Sequence, residues 1–314
     1  MKHQTYILDL IERMLDNTWA ENATSSEDTP SWKAHREAEK IKNEELIPDL
    51  IAFIQSEKNA EKRKQAYWIL GKIAENTHNQ NALQFIIHQI DNEKDTSVIT
   101  KILSAIKNTE KSAETDLSPI FHLITQGDDE LKNDAISVLQ KTHHPTVEPL
   151  ILEICSAENS NEYRLWHCLQ TLQNIGTRAS MDTLLALAGH KKTDVAVSAL
   201  FAILKIGDER ELPIFEKYIQ EGRNKDVALY AICKLGNEKH IPLIIKRIKE
   251  VLSRKRSEIV FVGNFDEDKS EIMHGLDFLA KFKNQHPDIQ PFFDFIKTKK
   301  WDKLFKEEQT HSVF

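Results

Sequence analysis

Apolar positions recur along this chain with helical spacing, in six copies of one pattern. In the three clearest copies a glycine (Gly176, Gly207 or Gly236) closes a segment that begins eight residues earlier at a small residue. Apolar residues in between occupy offsets i, i+3, i+4 and i+7, which form one face of an α-helix. A repeat of about 30 residues built from helices predicts a solenoid, in which each unit buries its apolar face against its neighbours. The six copies begin at Ala66, Ile99, Ala135, Cys168, Ala199 and Ala228.

A second amphipathic segment precedes each copy, so every repeat is predicted to be a hairpin of a helix A and a helix B. Proline lies near the start of four A segments, where its missing N–H has no helical partner to lose. The glycines that close three B segments predict left-handed residues just past the helix ends. The A segments are Leu46–Ile54, Ala82–Ile90, Leu117–Ile124, Val147–Ile154, Met181–Ala188 and Leu212–Ile219.

Both ends of the chain depart from the repeat, which divides the sequence into three regions. Residues 1–44 predict an N-terminal helical cap with a loop at 18–31, and residues 45–250 hold the repeats. Residues 251–314 predict an irregular insertion followed by a C-terminal helical cap. Within the insertion, the β-branched and aromatic run 258–265 predicts a short extended or hairpin-like segment. Caps are expected because the terminal units of a solenoid otherwise expose apolar faces.

Two B segments resemble HEAT repeats, of the bacterial form related to bilin lyases. They are TDVAVSALFAILKIGD (193–208) and KQAYWILGKIAEN (64–76), and the resemblance extends over about residues 45–250. It implies an all-α fold, a right-handed α-α superhelix of about six to seven hairpins, with the B helices along its concave side. The resemblance says little about function, because functional sites are grafted onto such scaffolds.

Composition and charge narrow the possible partners. The chain has 314 residues and a net charge of −7, which disfavours nucleic acid because such binding requires Lys and Arg to displace counterions. No apolar run approaches the roughly 20 residues of a membrane span, and the charged N-terminal segment is unlike a signal peptide. Cys155, Cys168 and Cys233 show neither metal-binding nor disulfide spacing. We therefore expect a cytoplasmic protein without a membrane partner.

A second stripe on each B helix, two, six and nine residues before the closing position, is predicted to face solvent. By the resemblance, this B-helix stripe lines the concave side. Aromatic residues share one of its columns and lysines another, a combination typical of protein interfaces. The alternative is that the aromatics pack between repeats and the lysines only solvate helix ends, where positive charge also suits the helix dipole. The stripe residues assigned to binding are Trp68, Lys72, Lys101, Lys141, His167, Gln170, Phe201, Lys205, Tyr230 and Lys234.

A basic segment at residues 246–256 is a second candidate site. It contains a single acid, Glu250, although five acids follow between positions 258 and 271. Such a block binds phosphates or an acidic partner, or it is neutralised by neighbouring acids. Its basic residues are Lys246, Arg247, Lys249, Arg254, Lys255 and Arg256.

No zinc spacing, phosphate-binding glycine loop or nucleophile elbow is present, so the sequence predicts no catalytic residue, no metal and no cofactor. The favoured interpretation is a non-catalytic scaffold or adaptor that binds another protein, one form being an immunity or antitoxin-like protein that neutralises a toxin enzyme. One enzyme alternative is a HEAT-like DNA alkylation-repair glycosylase, which needs a basic groove with aromatics and a carboxylate around an extruded base. Its candidate residues would be Trp68, Lys72, Lys101 and Lys141, with Asp134 nearby. A bilin lyase-like enzyme is the other. The sequence identifies neither the partner nor the oligomeric state.

Overall fold

A computed structural model describes residues 2–19, 24–157, 161–262 and 269–314. These residues are all-α and contain eighteen α-helices. They divide into two compact units, Met1–Ser180 and Met181–Phe314. The boundary falls inside the predicted repeat region, between the fourth and fifth hairpins.

The first unit contains the N-terminal helices and four predicted hairpins. In each hairpin, helix A packs against the helix B that follows it, and the B helices α4, α6, α8 and α10 pack in that order, each against the next. Helices α1 and α2 pack against each other and against α4. The bounds are α1 Lys2–Leu15, α2 Pro30–Ala38, α3 Ile47–Ser56, α4 Ala60–Thr77, α5 Gln80–Gln89, α6 Thr96–Ile106, α7 Ser118–Gln126, α8 Asp129–Val138, α9 Val147–Ser156 and α10 Glu162–Ile175.

The second unit begins with the last two predicted hairpins and continues into a seventh. Helix α12 packs against α14, and α14 packs against α16. Helix α16 also packs against α15, so the irregular insertion separates the two helices of a seventh hairpin. The bounds are α11 Met181–Ala188, α12 Thr193–Ile206, α13 Leu212–Glu221, α14 Lys225–Leu235, α15 Ile241–Leu252, α16 Glu271–Lys281, α17 Ile289–Phe295 and α18 Lys306–Gln309.

The predicted apolar stripe of the B helices forms the core of both units. Ala66 and Ile69 on α4 expose no surface, and neither do Ala199 and Ile203 on α12. The small residues matter because they allow backbones to approach, as at Gly71 of α4. A Cβ at that glycine would lie only 2.7 Å from the carbonyl oxygen of Ala105 on α6. The exceptions to full burial are the last residues of three helices, which are half-buried: Ile175, Ile206 and Leu235.

The closing glycines do not adopt the predicted left-handed conformation. Gly176, Gly207 and Gly236 have φ angles of −62°, −78° and −78° and extended ψ values. Glycine is favoured at Gly207 for a different reason, since a Cβ there would lie 2.5 Å from the carbonyl oxygen of Ile203. Glycine is therefore favoured at this position because the chain passes close to the end of its own helix, and not because the residue needs a positive φ.

The two ends of the insertion pair with each other in a hairpin-like contact. Phe261 and Ser270 form an isolated antiparallel bridge, and the Val262 N–H donates to the Lys269 carbonyl at 2.9 Å. The pairing at Phe261 and Val262 agrees with the predicted hairpin-like segment, and residues 263–265 of the predicted run lie outside the described residues. Of the predicted loop at 18–31, residues 20–23 also lie outside them.

A buried carboxylate attaches the C-terminal helix to the base of this insertion. Glu308 of α18 is fully buried and accepts two hydrogen bonds from Arg256, both at 2.7 Å. The Ser270 hydroxyl donates to the same carboxylate at 2.6 Å. A buried charge is costly unless it is paired, and these three donors satisfy that requirement.

A fully buried lysine joins two loops of the first unit. The Lys111 ammonium donates to the carbonyl oxygens of Ile106 and Thr109 at 2.9 and 2.7 Å. Its backbone bonds with Lys141 and His143, so the loop after α6 is held to the loop after α8. Burial, assisted by the charge of Lys141, lowers the pKa of Lys111 to about 7.

Replacing Gly71 by Ala tests the close approach of α4 and α6. Helix propensity alone would stabilise the variant by about 1 kcal/mol. We expect a net loss of about 1–2 kcal/mol instead, because the new methyl group meets backbone atoms that cannot move aside cheaply. Urea denaturation measures this change in the free energy of unfolding.

Gly275→Ala is the matched control for that experiment, because Gly275 is also buried inside a helix. Its Cβ would meet chiefly the Cδ1 atom of Ile248, which can shift. A Gly71→Ala protein as stable as the natural one would contradict the packing described here.

The pH dependence of stability tests the state of Lys111. Because its folded pKa is about 7 and its ordinary value 10.5, the unfolded chain binds more protons between these values. The free energy of unfolding of the natural protein should therefore rise, relative to Lys111→Met, by about 1.4 kcal/mol per pH unit from pH 7 towards 10.5. Denaturation at several pH values measures the difference, with Lys94→Met, at an exposed position, as the control variant. Parallel pH profiles for the natural protein and Lys111→Met would refute the assignment.

Candidate functional site

Lysines from two B helices surround one tryptophan in the first unit. Trp68 lies on α4, and the Lys72 ammonium one turn later is 4.8 Å from the centre of its ring. Helix α6 brings the Lys101 ammonium to within 4.2 Å of the same ring. We call Lys64, Gln65, Trp68, Lys72 and Lys101 the Trp68 cluster. Cation–π contacts of this kind stabilise by about 0.5–2 kcal/mol, with the larger values at desolvated sites.

Positive charge in this cluster is only partly compensated. Lys64 and Lys72 form ion pairs with Glu61 and Glu75 on their own helix, at 2.7 and 2.6 Å. Within the described residues, the Lys101 ammonium has no hydrogen bond and no ion pair. Burial lowers the pKa of Lys101, and the charges of Lys64 and Lys72 lower it further. An approaching anion would relieve this repulsion.

Two buried polar atoms of the cluster lack a hydrogen-bond partner among the described residues. They are the Gln65 side-chain oxygen and the Trp68 indole nitrogen. Leaving such an atom unsatisfied costs about 1–3 kcal/mol, so unpaired groups tend to be confined to sites that something else completes. The cluster therefore combines an uncompensated cation with unused donor and acceptor groups.

An aromatic group on α10 surrounds a buried histidine. His167 is 8% exposed and lies 4.6 Å from the Tyr163 ring and 4.9 Å from the Trp166 ring, both edge-on. Its Nδ1 atom is hydrogen-bonded to the Ser137 hydroxyl at 2.6 Å, while its Nε2 atom has no partner among the described residues. Tyr163 and Trp166 stack on each other and are 60% and 36% exposed.

Burial lowers the pKa of His167 to about 4, and the charge of Lys107 acts in the same direction. The imidazole is therefore neutral at neutral pH. Within the described residues no carboxylate binds His167 to orient it, so the Ser137–His167 pair lacks the third member of a hydrolytic triad. Burial also raises the pKa of Asp134, with Glu130 adding to the effect and Lys107 opposing it.

The B-helix stripe is only partly exposed, so the prediction that it faces solvent is wrong for several residues. Tyr230 is 3% exposed and packs against His274 and Phe201, with ring centres at 4.7 and 6.0 Å. His167 is also buried, because Tyr163 and Trp166 cover it. Helices that pack on both sides of α14 leave no room for an exposed ring at Tyr230. Of the other stripe residues, Trp68, Lys72, Lys101, Gln170 and Phe201 are half-buried, and Lys141, Lys205 and Lys234 are exposed.

The basic segment is not one continuous basic surface. Arg247 is 8% exposed and binds Glu271 through two nitrogens at 2.8 and 3.0 Å. Arg256 is paired with Glu308. Glu271 is one of the acids that follow the segment in the sequence, whereas Glu308 lies 52 residues from Arg256 and was not predicted. The exposed members are Lys246, Lys249, Arg254 and Lys255.

Sequence reasoning missed the exposed pair Tyr163 and Trp166. The B-helix stripe was counted from nine residues before Gly176 and so excluded the first five residues of α10. The spacing of residues 163, 166 and 167, which is i, i+3 and i+4, could have predicted this aromatic group, because residues so spaced share one helical face.

No protein-family model matches the chain, and a search of curated proteins found no match either. Among the described helices, none combines the length and the apolar character needed to cross a bilayer. The described residues also contain no group of three or more His, Cys, Asp or Glu side chains arranged to hold a metal ion.

The protonation of His167 gives a prediction for acidic pH. Its folded pKa of about 4 lies below the ordinary value of 6.5, so the unfolded chain binds the extra proton first as the pH falls. The natural protein should lose stability relative to His167→Gln by about 1.4 kcal/mol per pH unit between 6.5 and 4. Denaturation over this range measures the difference, with the exposed His143→Gln as control. An NMR titration midpoint near 6.5 for His167 would contradict the described environment.

Proposed function

We propose that this chain is a non-catalytic helical-repeat scaffold that binds an acidic segment of another protein on the B-helix face of its first unit. The proposal includes a HEAT-like superhelical arrangement of the hairpins. An immunity protein that neutralises a toxin enzyme is one form of it, because such a protein acts by occupying the surface of its target.

Regular hairpin packing supports the scaffold part of this proposal. In both units, each A helix packs on its own B helix, and successive B helices pack on each other. Arrays built in this way mostly present extended binding surfaces. The resemblance of residues 64–76 and 193–208 to HEAT B helices points in the same direction.

The uncompensated Lys101 ammonium against Trp68 is the observation that carries the choice of partner. A carboxylate placed there would form a charge-assisted hydrogen bond with Lys101, worth about 1.5–3 kcal/mol. It would also offset the repulsion among Lys64, Lys72 and Lys101. A cationic or neutral segment would gain neither effect, so charge complementarity favours an acidic one.

The exposed aromatic pair supplies a second anchor on the same unit. Tyr163 and Trp166 on α10 are separated from Trp68 on α4 by three interhelical steps of about 8–10 Å each. An extended chain covers about 3.3 Å per residue, so a segment of roughly eight to ten residues would reach both anchors. An acidic residue at one end and an apolar residue at the other would match these two sites.

The glycosylase alternative receives less support from these contacts. Within the described residues, no hydrogen bond or ion pair connects Asp134 with the Trp68 cluster. The net charge of −7 also opposes binding to a phosphate backbone.

A peptide-binding experiment tests the proposal. The probe is a fluorescently labelled peptide of about ten residues with alternating Glu and Leu, compared with a Gln–Leu peptide of the same length. We expect the acidic peptide to bind and to weaken as ionic strength rises. Lys101→Met should weaken it about tenfold, because the variant removes the cation and retains most of the apolar stem. Fluorescence anisotropy measures these affinities.

Lys205→Met, at an exposed lysine of the second unit, is the control and should bind as the natural protein does. Equal affinities for the acidic and Gln peptides, or no effect of Lys101→Met, would refute the proposal. Excision of an alkylated base from duplex DNA by the natural protein would establish the glycosylase instead.

A further inference from the structure

A cavity of about 360 Å³ in the second unit brings together four basic side chains. It lies where the turn before α14 meets α15 and the base of the insertion. Its volume falls at the lower end of the range for small-molecule sites, about 300–1,000 Å³. The charged residues that line it are Arg223, Lys225, Arg247 and Arg254, together with the acids Asp226 and Glu271.

Arg247 neutralises one of the two acids and still has a nitrogen without a hydrogen bond. Its side chain is 9% exposed, and its Nε and Nη2 atoms bind Glu271 at 3.0 and 2.8 Å. Its Nη1 atom is buried and lacks a hydrogen-bond partner among the described residues, and it forms a longer ion pair with Glu250 at 3.7 Å. Arg247 lines the cavity, and its buried nitrogen without a hydrogen bond leaves a donor available to a bound acceptor.

The other three basic residues have no carboxylate partner within the described residues. Arg223 donates to the backbone carbonyls of His190 and Lys191 at 3.3 and 3.4 Å, and the Lys225 ammonium donates to the Gln220 carbonyl at 2.7 Å. The Arg254 guanidinium forms no hydrogen bond and no ion pair with any described residue. Among the described residues that line the cavity, Arg247 balances Glu271 and the other three cations face one further acid, Asp226, which leaves an excess of two positive charges.

The N-terminus of α14 opens into the same cavity. Residues 225 and 226, the first two of this eleven-residue helix, line it. The side chain of the N-cap residue, Asn224, makes no capping hydrogen bond, so the first-turn N–H groups have no side-chain acceptor. Free N–H groups and the positive end of the helix dipole both favour an anion at this position.

We propose that this cavity binds the phosphate group of a small phosphorylated ligand. A phosphate dianion matches the two excess positive charges, and its oxygens can accept hydrogen bonds from several directions at once. Arg254 supplies a planar donor fork, and the α14 N-terminus supplies backbone donors. A carboxylate carries half the charge and would leave more of these donors unused. This site is in the second unit and does not depend on peptide binding by the first unit.

Isothermal titration calorimetry at constant ionic strength tests this inference. The three probes are inorganic phosphate, pyrophosphate and adenosine monophosphate. We expect binding below about 1 mM for at least one of them, and Arg254→Gln should weaken it about tenfold. Tight binding of adenosine monophosphate with weak binding of free phosphate would identify an organic monoester as the ligand class. The reverse order would identify the inorganic ion.

Lys255→Gln is the matched control, because Lys255 is exposed next to Arg254 and does not line the cavity. Lys255→Gln should change the affinity for phosphate less than twofold, since it removes only a charge that lies outside the cavity and is screened by salt. Three results would overturn the inference: no binding of any probe at about 10 mM, equal weakening by both variants, or equal competition by chloride. Unchanged acidic-peptide binding by Arg254→Gln would show that the two sites are separate.

Discussion

Close packing of the B helices on small residues is the constraint on which the rest of each unit depends. Ala66 and Ala199 expose no surface, and Gly71 leaves no space for a methyl group beside Ala105. Helices that approach this closely bury their apolar stripe almost completely. Five of the ten residues predicted on the B-helix stripe, Trp68 and Lys101 among them, are half-buried, because a neighbouring helix covers one side of each. Half-burial removes part of the water around such side chains, which lowers the pKa of Lys101 and leaves the Trp68 indole nitrogen without a hydrogen-bond partner among the described residues.

The Trp68 cluster illustrates that consequence. Lys101 is drawn onto the Trp68 ring because α6 packs against α4, and the same packing removes water from its ammonium. Partial desolvation strengthens both the contact with the ring and the repulsion from the neighbouring lysines. A partner carboxylate would therefore gain more here than at an exposed lysine such as Lys205. The indole nitrogen of Trp68, buried without a partner, adds to the incompleteness of this surface.

Electrostatics organise the second unit in a different way. Arg247 binds Glu271 across the insertion, and Arg256 binds the fully buried Glu308 near the C-terminus. These two pairs hold the base of the insertion against α15 and α18. Two of the six cations of the basic segment are therefore paired, and Arg254 is the member that lines the cavity without a carboxylate partner among the described residues. The charge available for ligand binding is thus decided by which cations are already paired.

The sequence by itself determined the helical hairpins, their order and their buried stripe, because offsets of i, i+3, i+4 and i+7 report directly on one face of a helix. It also located the lysines and aromatics next to that stripe. Only the tertiary structure decided which of them remain accessible: Tyr230 is enclosed by Phe201 and His274, whereas Tyr163 stays exposed. Likewise, the pairing of Arg256 with Glu308 joins residues 52 positions apart. Helical periodicity is a local property, but exposure and charge pairing depend on neighbours that the chain brings together only when it folds.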